Sequence, residues 1–172
     1  MSSSHKGRIF IDMDGVLADF RSQAKHWGYE KPIENGKMCR DPELWEIINR
    51  DAFYFAASMN WEEHGEELYA KLICLSLPVI PITHYPSDEW MRGRILWIKC
   101  NLPWSESPML VPAGNSKAAF CNGKSDILID DMPANVEEWR LKGGTAVLWD
   151  SEKPEESFAN LNLAFENLGV GK

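Results

Sequence analysis

The sequence predicts an α/β protein: a doubly wound parallel sheet with a small, partly helical segment inserted after the first strand. Three observations lead there. Short apolar, β-prone runs alternate with longer amphipathic stretches over most of the chain, the order expected of a parallel sheet with helices on both faces. Three of those runs end in polar residues: IFI in Asp12 and Asp14, LPVIPIT in Thr83, and SDILI in Asp130 and Asp131. Residues ~20 to ~60 interrupt the alternation with prolines, glycines and an aromatic run, AFYFAASMNW, as an insertion would.

Each element has its own justification. Ile9-Phe10-Ile11 is the first strand, and its alternation puts Asp12 and Asp14 on one side while Met13 packs away. Gly15 permits a sharp turn directly after them. Val16 to Gly28 reads as a helix on the spacing of Phe20, Ala24 and Trp27. Asp41-Pro42 is a cap and first position for a short helix, PELWEIINR, and Trp61 to Leu72 is again helical in pattern.

Leu77 to Thr83 is the second strand, in a sheet position that spares some hydrogen bonds, because Pro78 and Pro81 cannot donate. Ser87 caps a helix, DEWMRGRILWIKCNL, whose inner face carries Trp90, Ile95, Trp97 and Ile98; Asn101-Leu102-Pro103 ends it. Pro108 to Val111 is a third strand, followed by a turn at Gly114-Asn115-Ser116 into Lys117. Ser125 to Ile129 is the fourth strand. Asn135 to Lys142 is a helix with Trp139 inward, closed by Gly143-Gly144. Thr145 to Trp149 is a fifth strand, and a last helix lies near Phe158 to Leu168. There is no internal repeat.

Composition narrows the function classes. At 172 residues, 44% hydrophobic and 26% charged, the chain has the size of one domain with a buried core. A formal net charge of -8 argues against a surface that tracks a nucleic-acid backbone. It does not bar a small anion, because a bound divalent cation and a nearby lysine set the field in a pocket. Cys39, Cys74, Cys100 and Cys121 are scattered, without a C-x-x-C pair, and read as reduced thiols of a cytoplasmic protein. No apolar run approaches a membrane span, and the polar leader MSSSHKG is left out of the fold. Eight tryptophans are many for this length; some belong in the core, and several in one region would suit stacking on a flat ligand.

Four polar stations stand in a fixed order: Asp12 with Asp14, Thr83, Lys117, and Asp130 with Asp131. In a doubly wound sheet the carboxyl ends of the strands line one crevice, so these distant residues are expected to converge. IFIDMDGVLADF resembles the first motif of the haloacid dehalogenase superfamily, and DMDGVLADF is similar to that of its 5'(3')-deoxyribonucleotidase branch. LIDDMPANVEEW followed by GGTAVLW resembles the region of the last motif. The order fits that superfamily and not a response-regulator receiver, in which the lysine comes last. The resemblance implies a Rossmann-like core over 8–19 and 61–172 and a cap over 20–60.

It also implies roles. Asp12 would be the nucleophile, forming an aspartyl-phosphate, and Asp14 the general acid and base. Mg2+ would be held by Asp12, the backbone carbonyl of Asp14 and a carboxylate of the Asp130-Asp131 pair, with Asp131 favoured as the direct ligand. Thr83 would bind a phosphate oxygen. Lys117 would neutralise phosphate charge, with Lys124 its competitor for that role. Phe20, Phe53 and Tyr54 would enclose a base. The implied activity is hydrolysis of (deoxy)nucleoside monophosphates by a protein for which a homodimer is admissible. THYPS at the second motif departs from the small residues usual after the threonine. Rival readings are a phosphatase of a sugar phosphate, phosphoglycolate or a polynucleotide 3'-phosphate, and a catalytically silent phospho-ligand-binding protein.

Overall fold

The computed structural model describes residues 7–31 and 41–170. Residues 1–6 of the leader, and the stretch from Pro32 to Arg40 with Cys39 in it, lie outside the described residues. Five strands, β1 (Ile9–Ile11), β2 (Val79–Tyr85), β3 (Met109–Pro112), β4 (Ile127–Asp130) and β5 (Thr145–Leu148), form one parallel sheet in the order β3-β2-β1-β4-β5. This is the doubly wound α/β architecture that the alternation predicts.

Period-2 alternation divides the core between the two sheet faces. Ile9, Ile11, Ile127 and Ile129 join one apolar cluster, while Phe10 and Leu128 join another with Ile80, Ile82, Val136 and Trp139. α6 (Pro133–Leu141) packs on the second face, where Phe10 meets Trp139 edge-on at 4.9 Å between ring centroids. α7 (Pro154–Leu168) contributes Leu161 and Phe165 to the first face.

β2 lies inside the sheet despite its prolines, for a local reason. It pairs with β1 through Pro81 and with β3 from Ile82 onward, so Pro81 stands where the ladder changes sides. The strand also runs two residues beyond Thr83, which therefore sits within β2 and not in a turn after it.

The segment after β1 differs from the expected Val16 to Gly28 helix. The Met13 carbonyl accepts from the Leu17 and Ala18 N–H groups at 2.8 and 2.7 Å, which closes a tight turn. α1 therefore starts only at Phe20 (Phe20–His26), capped by the Asp19 side chain accepting from Ser22 N at 2.8 Å. α2 (Pro42–Ile48) has the predicted Asp41 cap and first-turn proline, and the aromatic run folds as α3 (Ala52–Ala57). α4 (Gly65–Ile73) begins four residues later than the pattern suggests.

The chain leaves and re-enters at one point. Asp19 N donates to Asn60 O at 2.9 Å, and Ala18 bridges Trp61. α5 (Asp88–Asn101), capped by Ser87, supports what lies between. α3 crosses it so closely that a Cβ on Gly93 would stand 2.2 Å from the Phe53 carbonyl oxygen. The buried face of α5 is Trp90, Gly93, Arg94, Trp97 and Ile98; Ile95 is only half-buried, and an arginine takes a place on the inner stripe. No described helix is long and apolar enough to cross a membrane.

Candidate active site

Asp12 directly follows β1, and Asp130 is the last residue of β4. These strands are neighbours at the point where the sheet order reverses direction, the place where doubly wound sheets bind ligands. Asp12 N donates to the Ile129 carbonyl at 2.9 Å, which fixes the two strand ends against each other. Ligand oxygens of Asp12, Asp130 and Asp131 all lie within 4.8 Å of one another.

Lys117 completes the cluster. It opens a 3-10 turn (Lys117–Phe120) capped by Ser116, and its fully buried Nζ lies 2.7 Å from Asp12 Oδ1 and 2.8 Å from Asp130 Oδ2. Lys124 is exposed, whereas Lys117 is the one of the two lysines in ion-pair contact with Asp12 and Asp130. Burial works against the Lys117 charge, yet Asp12 and Asp130 outweigh it and hold the ammonium well above the usual lysine range.

The paired aspartates have different surroundings. Asp130 is fully buried and saturated: Oδ1 accepts from Met132 N and Asn135 Nδ2, both at 2.9 Å, and Oδ2 accepts from Lys117 and from Asn135 at 3.1 Å. Asp131 is half-buried and makes no hydrogen bond or ion pair among the described residues. Gly15 makes room for it. A Cβ there would stand 2.5 Å from Asp131 Oδ2, and its φ of +77° is itself glycine territory.

Burial and the Asp130 charge push the Asp131 carboxyl up to about 7. Burial, then the Asp130 charge, also raises Asp12 well above the carboxylate range, against the pull of Lys117. Three carboxylates facing one ammonium leave an excess of negative charge that a cation relieves. The donors are hard oxygens. Ligands of one six-coordinate magnesium stand about 3–4 Å apart, which this cluster spans, so the residues present fit Mg2+.

The Asp14 side chain lies outside the three-carboxylate cluster and forms an ion pair with Arg94 Nη2. Phe20, expected to face a base, is buried, its ring centroid 5.5 Å from Phe55 and 5.9 Å from Trp90. Of the eight tryptophans, Trp90, Trp97, Trp139 and Trp149 are buried in the core. Phe53 and Tyr54 are exposed, and Tyr54 lines a cavity of about 750 Å³ with Gln23, His26, Trp27, Ser58 and Asn60. Thr83 is buried on β2, beside β1, and among the described residues its hydroxyl meets only the His84 carbonyl, at 3.3 Å. His84 Nε2 lies 2.8 Å from the Asn115 carbonyl, tying the end of β2 to the loop that carries Lys117.

Sequence reasoning missed Asn135 and Arg94. Asn135 stands five residues after Asp130, a legible spacing once the helix start is known. Arg94 lies at i+4 from Trp90 and i−3 from Trp97, on the stripe that helical periodicity buries.

No family model and no curated protein sequence matches the chain. Solved structures do. A hydrolase from Streptococcus pneumoniae TIGR4 is similar over 94% of this chain and 99% of its own, at 12% identity and a TM-score of 0.53. A dehalogenase matches over 84% and 85%, at 10% identity and a TM-score of 0.57. The HAD-hydrolase YfnB from Bacillus subtilis, solved bound to magnesium, matches over 83% and 86%, at 12% identity and a TM-score of 0.55. At these identities the likeness is one of fold: the chain has the parallel α/β architecture of haloacid dehalogenase-type hydrolases.

Proposed function

We propose that the protein is a magnesium-dependent phosphomonoesterase of the haloacid dehalogenase superfamily, acting on (deoxy)nucleoside monophosphates. The convergence of Asp12, Asp130, Asp131 and Lys117 at the β1 and β4 ends carries this reading. Asp12 and Asp131, with the Asp14 carbonyl, would hold the ion, and Asp130 braces Lys117. The chemistry it would supply there is neutralisation of charge on the phosphoryl oxygens.

Asp12 Oδ1 lies 2.7 Å from Lys117 Nζ and accepts from Met13 N at 2.7 Å; it is the oxygen that would also serve the ion, which leaves Oδ2 as the nucleophile. The free Oδ2 attacks phosphorus, the ester P–O bond breaks, and protonated Asp14 gives its proton to the departing alcohol. Water then attacks the aspartyl-phosphate while the Asp14 carboxylate takes its proton, and Asp12 returns as carboxylate. Lys117 and the Thr83 hydroxyl hold phosphate oxygens.

Residues 20–60 serve as the cap, a role supported by the joined ends at Asp19 and Asn60. The nucleoside half of the proposal rests on Tyr54 and Trp27, which line a cavity that also offers amide and imidazole groups and includes none of the acidic cluster. Phosphate release from dUMP, dTMP, dGMP and AMP, with and without chelator, tests both halves. Activity should vanish on metal removal and in Asp12→Asn. Turnover that is indifferent to chelator defeats the proposal, and turnover of small phosphate esters alone moves the substrate out of the nucleotide class.

A further inference from the structure

We propose that Arg94 is a positioning residue for Asp14, gripping one oxygen of its carboxyl group so that the other faces the oxygen of the leaving group; this rests on the phosphatase reading above. Arg94 is completely buried on α5. Its Nη2 donates to Asp14 Oδ1 and lies 3.5 Å from Met59 Sδ, and its guanidinium carbon sits 5.3 Å from the Trp90 ring centroid. Nε and Nη1 have no hydrogen-bond partner among the described residues.

Such a residue is a poor choice for holding a helix in place. A buried guanidinium with one carboxylate partner and two unmet donors is less favourable than an apolar side chain of the same volume. Its neighbours on the stripe, Trp90, Trp97 and Ile98, would accommodate one. What the arginine provides and a methionine would not is a fixed grip on Asp14. Lys117 is committed to Asp12 and Asp130, and among the described residues Arg94 is the cation in ion-pair contact with Asp14. The Asp14 side chain remains about one-third exposed, and its second oxygen has no hydrogen bond among the described residues, so the grip leaves it free to meet substrate.

The grip also reaches the cap. α5 seats Gly93 against α3, Trp90 against Phe20 and Phe55, and Arg94 against Asp14, so one helix links the aromatic segment to the acid that protonates the leaving group.

The test compares first-turnover release of alcohol from an alkyl phosphate, which needs a proton, with release of p-nitrophenol from p-nitrophenyl phosphate, which does not. Arg94→Gln should slow the alkyl ester about 30- to 100-fold with KM within about twofold, and the aryl ester by no more than about threefold. Asp14→Asn should show the same selectivity, and Arg94→Lys should recover part of the loss. Should Arg94→Gln fail to fold, Arg94→Met, similar in volume and uncharged, carries the comparison. Equal losses on both esters, no loss, or failure of all three Arg94 variants to fold assigns the residue to stability and overturns the proposal. If the wild type hydrolyses neither ester, the phosphatase reading falls and this one with it.

Discussion

Asp130 and Asp131 are the same amino acid at adjacent positions, and their neighbours give them opposite work. Asp130 spends both oxygens on Lys117, Asn135 and the Met132 amide, so it is a strut. Asp131 spends neither and faces the gap that Gly15 leaves open. Asp130→Asn should therefore destabilise the protein by about 3 kcal/mol in urea unfolding, because it withdraws a charge from a buried ammonium. Asp131→Asn should be near neutral in chelator and lose most of the Mg2+-induced rise in melting temperature. A pair of variants that behave alike in both measurements would contradict the division. Gly15→Ala should resemble Asp131→Asn in its metal response while also losing stability, since its Cβ collides with that carboxylate and its backbone sits at φ +77°.

At the level of elements, the close crossing of α3 and α5 depends on a missing side chain. A Cβ on Gly93 would press on the backbone carbonyl of Phe53, which has no rotamer to escape into, and on the Ala56 methyl at 3.0 Å. Gly93→Ala should cost about 1–3 kcal/mol of unfolding free energy, through displacement of α3 and not through loss of contacts. Strands and caps were legible in the sequence because their signals are local: an apolar run bounded by turn residues, Asp41-Pro42, Ser87. The start of α1 was not, because the turn gathered by the Met13 carbonyl leaves no mark in the hydrophobic spacing. Arg94 was hidden by its charge, which assigns it to solvent on composition even though periodicity places it inside. Phe20 carries two signals: a resemblance speaks for a ligand contact, while its helical spacing with Ala24 marks it for the core, where its ring packs on Phe55 and Trp90. The convergence of Asp12, Lys117 and Asp130 was legible as an order along the chain; the separate duties of the last two aspartates depend on Asn135 and Gly15, which only the folded arrangement brings beside them.

For the molecule as a whole, the acidic centre makes stability depend on pH in an unusual direction. Burial first, then the Asp130 charge, raises Asp131 to about 7, and burial raises Asp12 as well, whereas in the unfolded chain both ionise near 4. Below about pH 4 the two states carry the same protons at these sites. Between about 4 and 7 the folded protein binds more protons than the unfolded one, so these groups favour folding at the acid end of that window, and their contribution is lost as pH rises through it. A divalent cation reverses the sign, since it binds the ionised carboxylates that folding otherwise penalises. In chelator, raising the pH from 5 to 8 should lower the melting temperature of the wild type more than that of Asp131→Asn, which has no carboxyl to ionise there. Mg2+ at a hundred times its pH 8 dissociation constant should restore it, adding about 2.7 kcal/mol there, and the same concentration should add less at pH 5. Melting curves over that pH range, with and without magnesium, read both effects. A magnesium increment that is the same at both ends, or larger in acid, would mean that the cation does not bind at these carboxylates.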